Sequence, residues 1–93
     1  MRVYLAGRIA GCPDYHARFA NAACRLRIQG HDVFNPAAAN MEGRKLSYIM
    51  AHMLPQVCQS EAIAMMPGWW RSGGARVEWL LARYLGLKVL YLR

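Results

Sequence analysis

The amino-acid sequence predicts an α/β domain: a small, doubly wound, four-stranded parallel sheet with helices on both faces. Three observations predict it. Short apolar runs alternate with segments of helical periodicity in the order β-α-β-α-β-α-β, the pattern of right-handed crossovers between parallel strands. Glycine-bearing loops follow the first and third apolar runs, where sheets of this kind bind ligands. The chain of 93 residues is long enough for one hydrophobic core and too short for two, so residues 1–93 are expected to form one domain.

Each element has its own signal. Arg2-Val3-Tyr4-Leu5-Ala6 is a short apolar strand, and residues 7–14 form a loop with two glycines and a proline. Asp14 is placed to cap a helix over about 15–29, with Phe19, Ala22, Ala23 and Leu26 inward and Gly30 as its stop. His31 to Phe34 reads as the second strand, closed by Asn35-Pro36, and residues 37–45 as a loop. A helix over about 46–59 carries Leu46, Ile49, Met50, Met53, Leu54 and Val57, and Pro55 is expected to kink or end it. Its methionines suit core or subunit contact better than a cofactor site. A buried strand over about 61–66 follows, then a glycine-rich loop. The third helix places Val77, Leu80, Leu81, Tyr84 and Leu85 on one face and ends at Gly86. Residues 87–92 form the last strand.

The expected strand order is 2-1-3-4, a flavodoxin- or Rossmann-like arrangement whose crevice opens between strands one and three. The loops from Gly7 to Gly11 and from Pro67 to Gly74 both meet there. The second of these, Pro67-Gly68-Trp69-Trp70-Arg71-Ser72-Gly73-Gly74, presents backbone N–H groups and a helix N-terminus to an anion. Arg71 and Arg76 flank it. Glu78 is expected in the first helical turn, where the dipole would keep its carboxylate ionised. An ionised carboxylate beside a phosphate-shaped loop can attack a sugar carbon while the loop holds a phosphate.

Composition narrows the function. A formal charge of +7 asks for an anionic partner. The cations are dispersed along the chain, so a small nucleoside or nucleotide is expected and a nucleic acid is not, although Trp69 and Trp70 could serve as stacking platforms. No apolar run reaches the roughly 20 residues of a membrane span, so no membrane partner is expected. A first strand starting at residue 2 leaves no room for a signal peptide, and Cys12, Cys24 and Cys58 suit a reducing compartment. The expected location is therefore cytoplasmic. His16, His31 and His52 lack ligand spacing, so neither a metal nor another cofactor is expected. A hydrophobic fraction of 56% leaves apolar surface for a second subunit, and two adjacent tryptophans cannot both point inward, so a homo-oligomer is expected.

Val3-Tyr4-Leu5-Ala6-Gly7, Gly30 to Pro36, and Pro67-Gly68-Trp69 through Gly74-Ala75-Arg76-Val77-Glu78 resemble a family of small phage and bacterial proteins. That family is known mainly as a domain of unknown function and is classed with the nucleoside 2-deoxyribosyltransferase-like proteins. The resemblance covers essentially the whole chain. It extends more broadly to nucleoside 2-deoxyribosyltransferases and deoxynucleoside 5′-monophosphate N-glycosidases. It implies that Glu78 attacks the anomeric carbon of deoxyribose. It further implies that Gly7, Arg8 and Ile9 line the nucleoside pocket and that Ser72, Gly73 and Gly74 hold a phosphate; for such a substrate Tyr4 and Arg8 are expected as pocket walls and Arg71 or Arg76 as the charge clamp. Two positions depart from the family pattern: Met53 stands where a helix aspartate is usual, and Glu61 where an aspartate opens the third strand. Asp14 and His52 are the alternative proton donors. The resemblance thus implies an N-glycosidase or deoxyribosyltransferase, or, if Met53 has removed the second acid, a nucleotide-binding protein on an enzyme's scaffold.

Overall fold

The computed structural model describes residues 1–39 and 41–93. Four strands, β1 (Arg2–Ala6), β2 (Asp32–Phe34), β3 (Ala62–Met65) and β4 (Lys88–Tyr91), form one parallel sheet in the order β2-β1-β3-β4. The helices are α1 (Tyr15–Ile28), α2 (Leu46–Cys58) and α3 (Gly73–Tyr84), with short 3₁₀ turns at Pro36–Ala39 and Trp69–Arg71. The expected α/β class and strand order are those observed.

Alternation along the central strands assigns the two faces. Val3 and Leu5 of β1, with Ala62 and Ala64 of β3, pack beneath Phe19, Ala22, Ala23 and Leu26 of α1. Those are the four α1 residues whose spacing predicts burial. On the other face, Tyr4 and Ala6 join Ile63 and Met65 beneath Met53 and Val57 of α2 and Ala82 of α3. Where β1 ends, the chain must pass close to the residue following β3. A Cβ on Gly7 would lie 3.0 Å from both the Cβ and Sδ of Met66 and 3.2 Å from the Phe19 ring. Glycine lets the loop cross there.

α2 spans Leu46–Cys58, close to the expected 46–59; of the two roles open to Pro55, it does not end the helix. Pro55 lies one turn from the helix end, so little ladder follows it. The third helix begins at Gly73, four residues earlier than the apolar periodicity suggests, because Ser72 caps it: the Ser72 hydroxyl accepts from the Ala75 amide at 3.2 Å. The face it buries is also a different one. Ala75, Glu78 and Ala82 are buried, whereas Val77, Leu80 and Tyr84 are exposed, Tyr84 by 88%. Small residues bring α3 close to the sheet, Trp79 and Leu81 pack half-buried against the core beside them, and Val77, Leu80 and Tyr84 project outward.

Among the described residues, no helix is long and apolar enough to cross a membrane.

Candidate functional site

A cavity of about 620 Å³ opens beyond the carboxyl ends of β1 and β3. Four segments build it. The β1 end and the loop after it contribute Tyr4, Gly7, Ile9 and Ala10. The connection after β2 contributes Pro36, Ala37, Met41, Glu42 and Gly43, and α2 contributes Leu46, Ile49, Met50 and Met53. From the loop after β3 and the start of α3 come Arg71, Ser72, Gly73, Gly74, Ala75 and Glu78. Most of the wall is apolar, with a few polar groups converging, which is how sites for small organic ligands are usually made.

Glu78 is the one buried acid among the described residues, 7% exposed. It occupies the middle of the buried Ala75/Glu78/Ala82 stripe, whose small flanking residues leave room for its carboxyl against β1. There the Tyr4 hydroxyl donates a hydrogen bond to Glu78 Oε2. The Tyr4 ring is itself fully buried and stacked on Phe34, with centroids 5.5 Å apart and planes inclined by 11°. A donor held so firmly fixes one carboxyl oxygen and leaves the other for a ligand.

The charge state of Glu78 departs from the sequence expectation. The expectation placed it in the first turn with an ionised carboxylate, but no acidic residue lies in the first turn of α3. From the Ser72 cap, Glu78 falls in the second turn, beyond the range over which the dipole is felt. Burial dominates instead and pushes the carboxyl up to about 7, the Tyr4 hydrogen bond opposing that rise. The Tyr4 phenol is pushed far above its ordinary range, first by burial and then by the neighbouring Glu78 charge, so it remains a donor.

Beside this pair, the start of α3 offers anion-binding groups. The Gly73 and Gly74 amides belong to the first turn and precede the helical ladder, which starts with the Arg76 amide donating to the Ser72 carbonyl at 3.0 Å. Ser72 accepts from Ala75, which leaves its hydroxyl proton to donate outward. Arg71 borders the same cavity.

The other sequence candidates fall into separate places. Tyr4, Gly7, Ile9, Arg71, Ser72, Gly73, Gly74 and Glu78 share the cavity, while Arg8 borders a second, smaller one and Arg76 is exposed and lines neither. Met53 is buried on the cavity wall. Glu61 stands at the amino end of the sheet, where its Oε1 accepts from the Arg2 amide at 2.9 Å. Asp14 precedes α1 without a side-chain cap bond; its Oδ1 accepts from the Cys12 thiol at 3.2 Å. His52 is on the exposed side of α2, its Nδ1 2.9 Å from the Tyr48 carbonyl. Trp69 packs against Trp79, centroids 5.2 Å apart, while Trp70 is 57% exposed.

Two polar cavity residues, Tyr15 and Glu42, are absent from the sequence expectation. Tyr15, opening α1, donates from its hydroxyl to Glu42 Oε1, and His16 Nε2 lies 3.2 Å from the same oxygen. The Tyr15 bond first, and His16 second, hold the Glu42 carboxyl below its usual range. A signal was present: the loop after β2 must open on the same carboxyl edge as the loops after β1 and β3. That loop lacks the paired glycines that mark the turn after β3.

No curated protein matches the chain. A family model described as Domain of unknown function (DUF4406) matches residues 1–91, and the chain belongs to that family.

Proposed function

We propose that the protein processes a deoxynucleoside or its 5′-monophosphate, cleaving or transferring at the N-glycosidic bond with Glu78 as the nucleophile. The observation that carries this reading is the buried Glu78 carboxyl, held by Tyr4 on the wall of a mostly apolar cavity, next to free first-turn amides. In its ionised form the free Glu78 oxygen bonds to C1′ as the bond from C1′ to the base nitrogen breaks. The electron pair leaves with the base, which takes up a proton. Water or a second base then displaces the carboxylate from C1′, as in retaining glycoside hydrolysis. Ser72, Gly73 and Gly74, with Arg71, would hold a 5′-phosphate. Ile9 and the α2 methionines would cover the base and sugar.

The test is chromatographic. Incubation with each deoxynucleoside and 5′-monophosphate is expected to release free base, and Glu78→Ala to reduce release to background. Turnover unchanged in that variant would refute the mechanism.

A second reading is favoured by one feature, Met53. It puts a thioether on the cavity wall where the resemblance leads one to expect a carboxylate. On that reading the protein binds or sequesters a nucleotide without cleaving it, and a saturable rise in melting temperature would accompany no base release. We further propose that the protein works as a homo-oligomer, a reading supported by the outward apolar stripe of Val77, Leu80 and Tyr84. Sedimentation at the monomer mass across micromolar concentrations would count against it.

A further inference from the structure

The smaller cavity, of about 250 Å³, lies on the other side of the loop after β3 and contains neither Tyr4 nor Glu78. Three arginines from three segments border it: Arg8 after β1, Arg18 on α1, and Arg71 in the 3₁₀ turn. No carboxylate lines it, and among the described residues none of the three guanidinium groups lies within ion-pair distance of an acid. Their bonds within the protein are few and neutral. Arg8 Nε donates to the Ala10 carbonyl at 3.1 Å, and Arg18 Nη1 lies 3.6 Å from the Cys12 sulfur. The loop is folded tightly on Arg8: a Cβ on Gly11 would come within 2.7 Å of its Nη2. Three arginines on one cavity wall, with no acid to pair them, leave positive charge there for an anion to balance.

We propose that this cavity is a phosphoryl-binding site, distinct from the first-turn amides of α3. Guanidinium groups pair with phosphoryl oxygens through parallel N–H bonds, and three positive charges match a dianion better than a single carboxylate. Arg71 borders both cavities, so a phosphoryl group here sits next to whatever occupies the Glu78 cavity. Two sources share this chemistry: inorganic phosphate, and a second phosphoryl group of a nucleotide bound next door. The inference does not rest on cleavage by Glu78.

The test titrates the full chain with inorganic phosphate at constant ionic strength, by calorimetry and by the Nε–Hε resonances of its arginines. Binding is expected to be saturable, to move the Arg18 resonance, and to weaken about tenfold or more in Arg18→Gln. Arg18 is exposed, so this variant should fold as the parent does. Arg76→Gln removes the same charge from an exposed residue outside both cavities and is expected to change affinity less than about twofold. Glu78→Gln should bind phosphate like the parent protein, which separates failure here from failure of the glycosidic reading. If a deoxynucleoside 5′-diphosphate binds more tightly than the monophosphate and Arg18→Gln erases that advantage, the second phosphoryl group of a nucleotide is the occupant. If inorganic phosphate binds undiminished with the monophosphate present, free phosphate is the occupant. Equal weakening by Arg18→Gln and Arg76→Gln, or no saturable change at Arg18, would overturn the proposal.

Discussion

Glu78 sets the pH behaviour at the residue scale. Its carboxyl, ordinarily near 4.5, sits at about 7 in the folded protein because it is buried. Between those values the folded chain keeps a proton that the unfolded chain has released. Stability from this residue is therefore fully present below about pH 4.5, falls as pH rises to about 7, and is then flat. The fall amounts to roughly 3 kcal/mol. Glu78→Gln keeps an acceptor for Tyr4 and has no proton to lose. Urea unfolding at pH 8 should find it more stable than the parent protein, by a margin that shrinks towards pH 5. A margin independent of pH would contradict a raised Glu78. If ionised Glu78 is the nucleophile, base release should rise with pH through about 7 and then level. Tyr4→Phe removes the hydrogen bond that favours the carboxylate, so this rise should move to higher pH. An unmoved profile would dissociate Tyr4 from the titration. None of this was legible from residue types, because the burial of Glu78 depends on which face α3 turns to the sheet.

The loop and helix after β3 decide where Glu78 sits. The Ser72 cap advances the start of α3 to Gly73, and this moves Glu78 out of the first turn. Apolar periodicity missed that start because the first turn, Gly73-Gly74-Ala75, has no large apolar residue to mark it. It also favoured the wrong face: Val77, Leu80 and Tyr84 form the stronger stripe, yet Ala75, Glu78 and Ala82 pack inward. The clue was the small pair Ala75 and Ala82, spaced seven apart on either side of an acid, a pattern that admits close approach to a sheet. By contrast, α1 carries Phe19 and Leu26 with no competing apolar face, and its inward residues were readable. Ser72→Ala should destabilise the protein by about 1 kcal/mol through loss of the cap. It should also weaken a 5′-monophosphate more than the free nucleoside, measured as the ratio of the two affinities. An equal effect on both would remove Ser72 from the phosphate cradle.

For the whole molecule, topology brings the chemistry together. With β1 and β3 adjacent and parallel, their following loops open on one edge, and β2 beside β1 adds a third. This much follows from the alternation of elements, and in the structure Gly7 and Ile9 line one cavity with Ser72, Gly73, Gly74 and Glu78, some seventy residues away along the chain. Sequence order could not say on which side of the loop after β3 each cation would fall. Arg8 as a wall and Arg71 as a phosphate clamp are therefore expected in one pocket, whereas Arg8 lines the smaller cavity with Arg18 and only Arg71 borders both. The most direct test of the central claim is base release from deoxynucleosides and their 5′-monophosphates, run in parallel on the parent protein and Glu78→Ala. The account predicts free base that vanishes in the variant. Release that persists in Glu78→Ala, or bound nucleotide left intact by the parent protein, would contradict it.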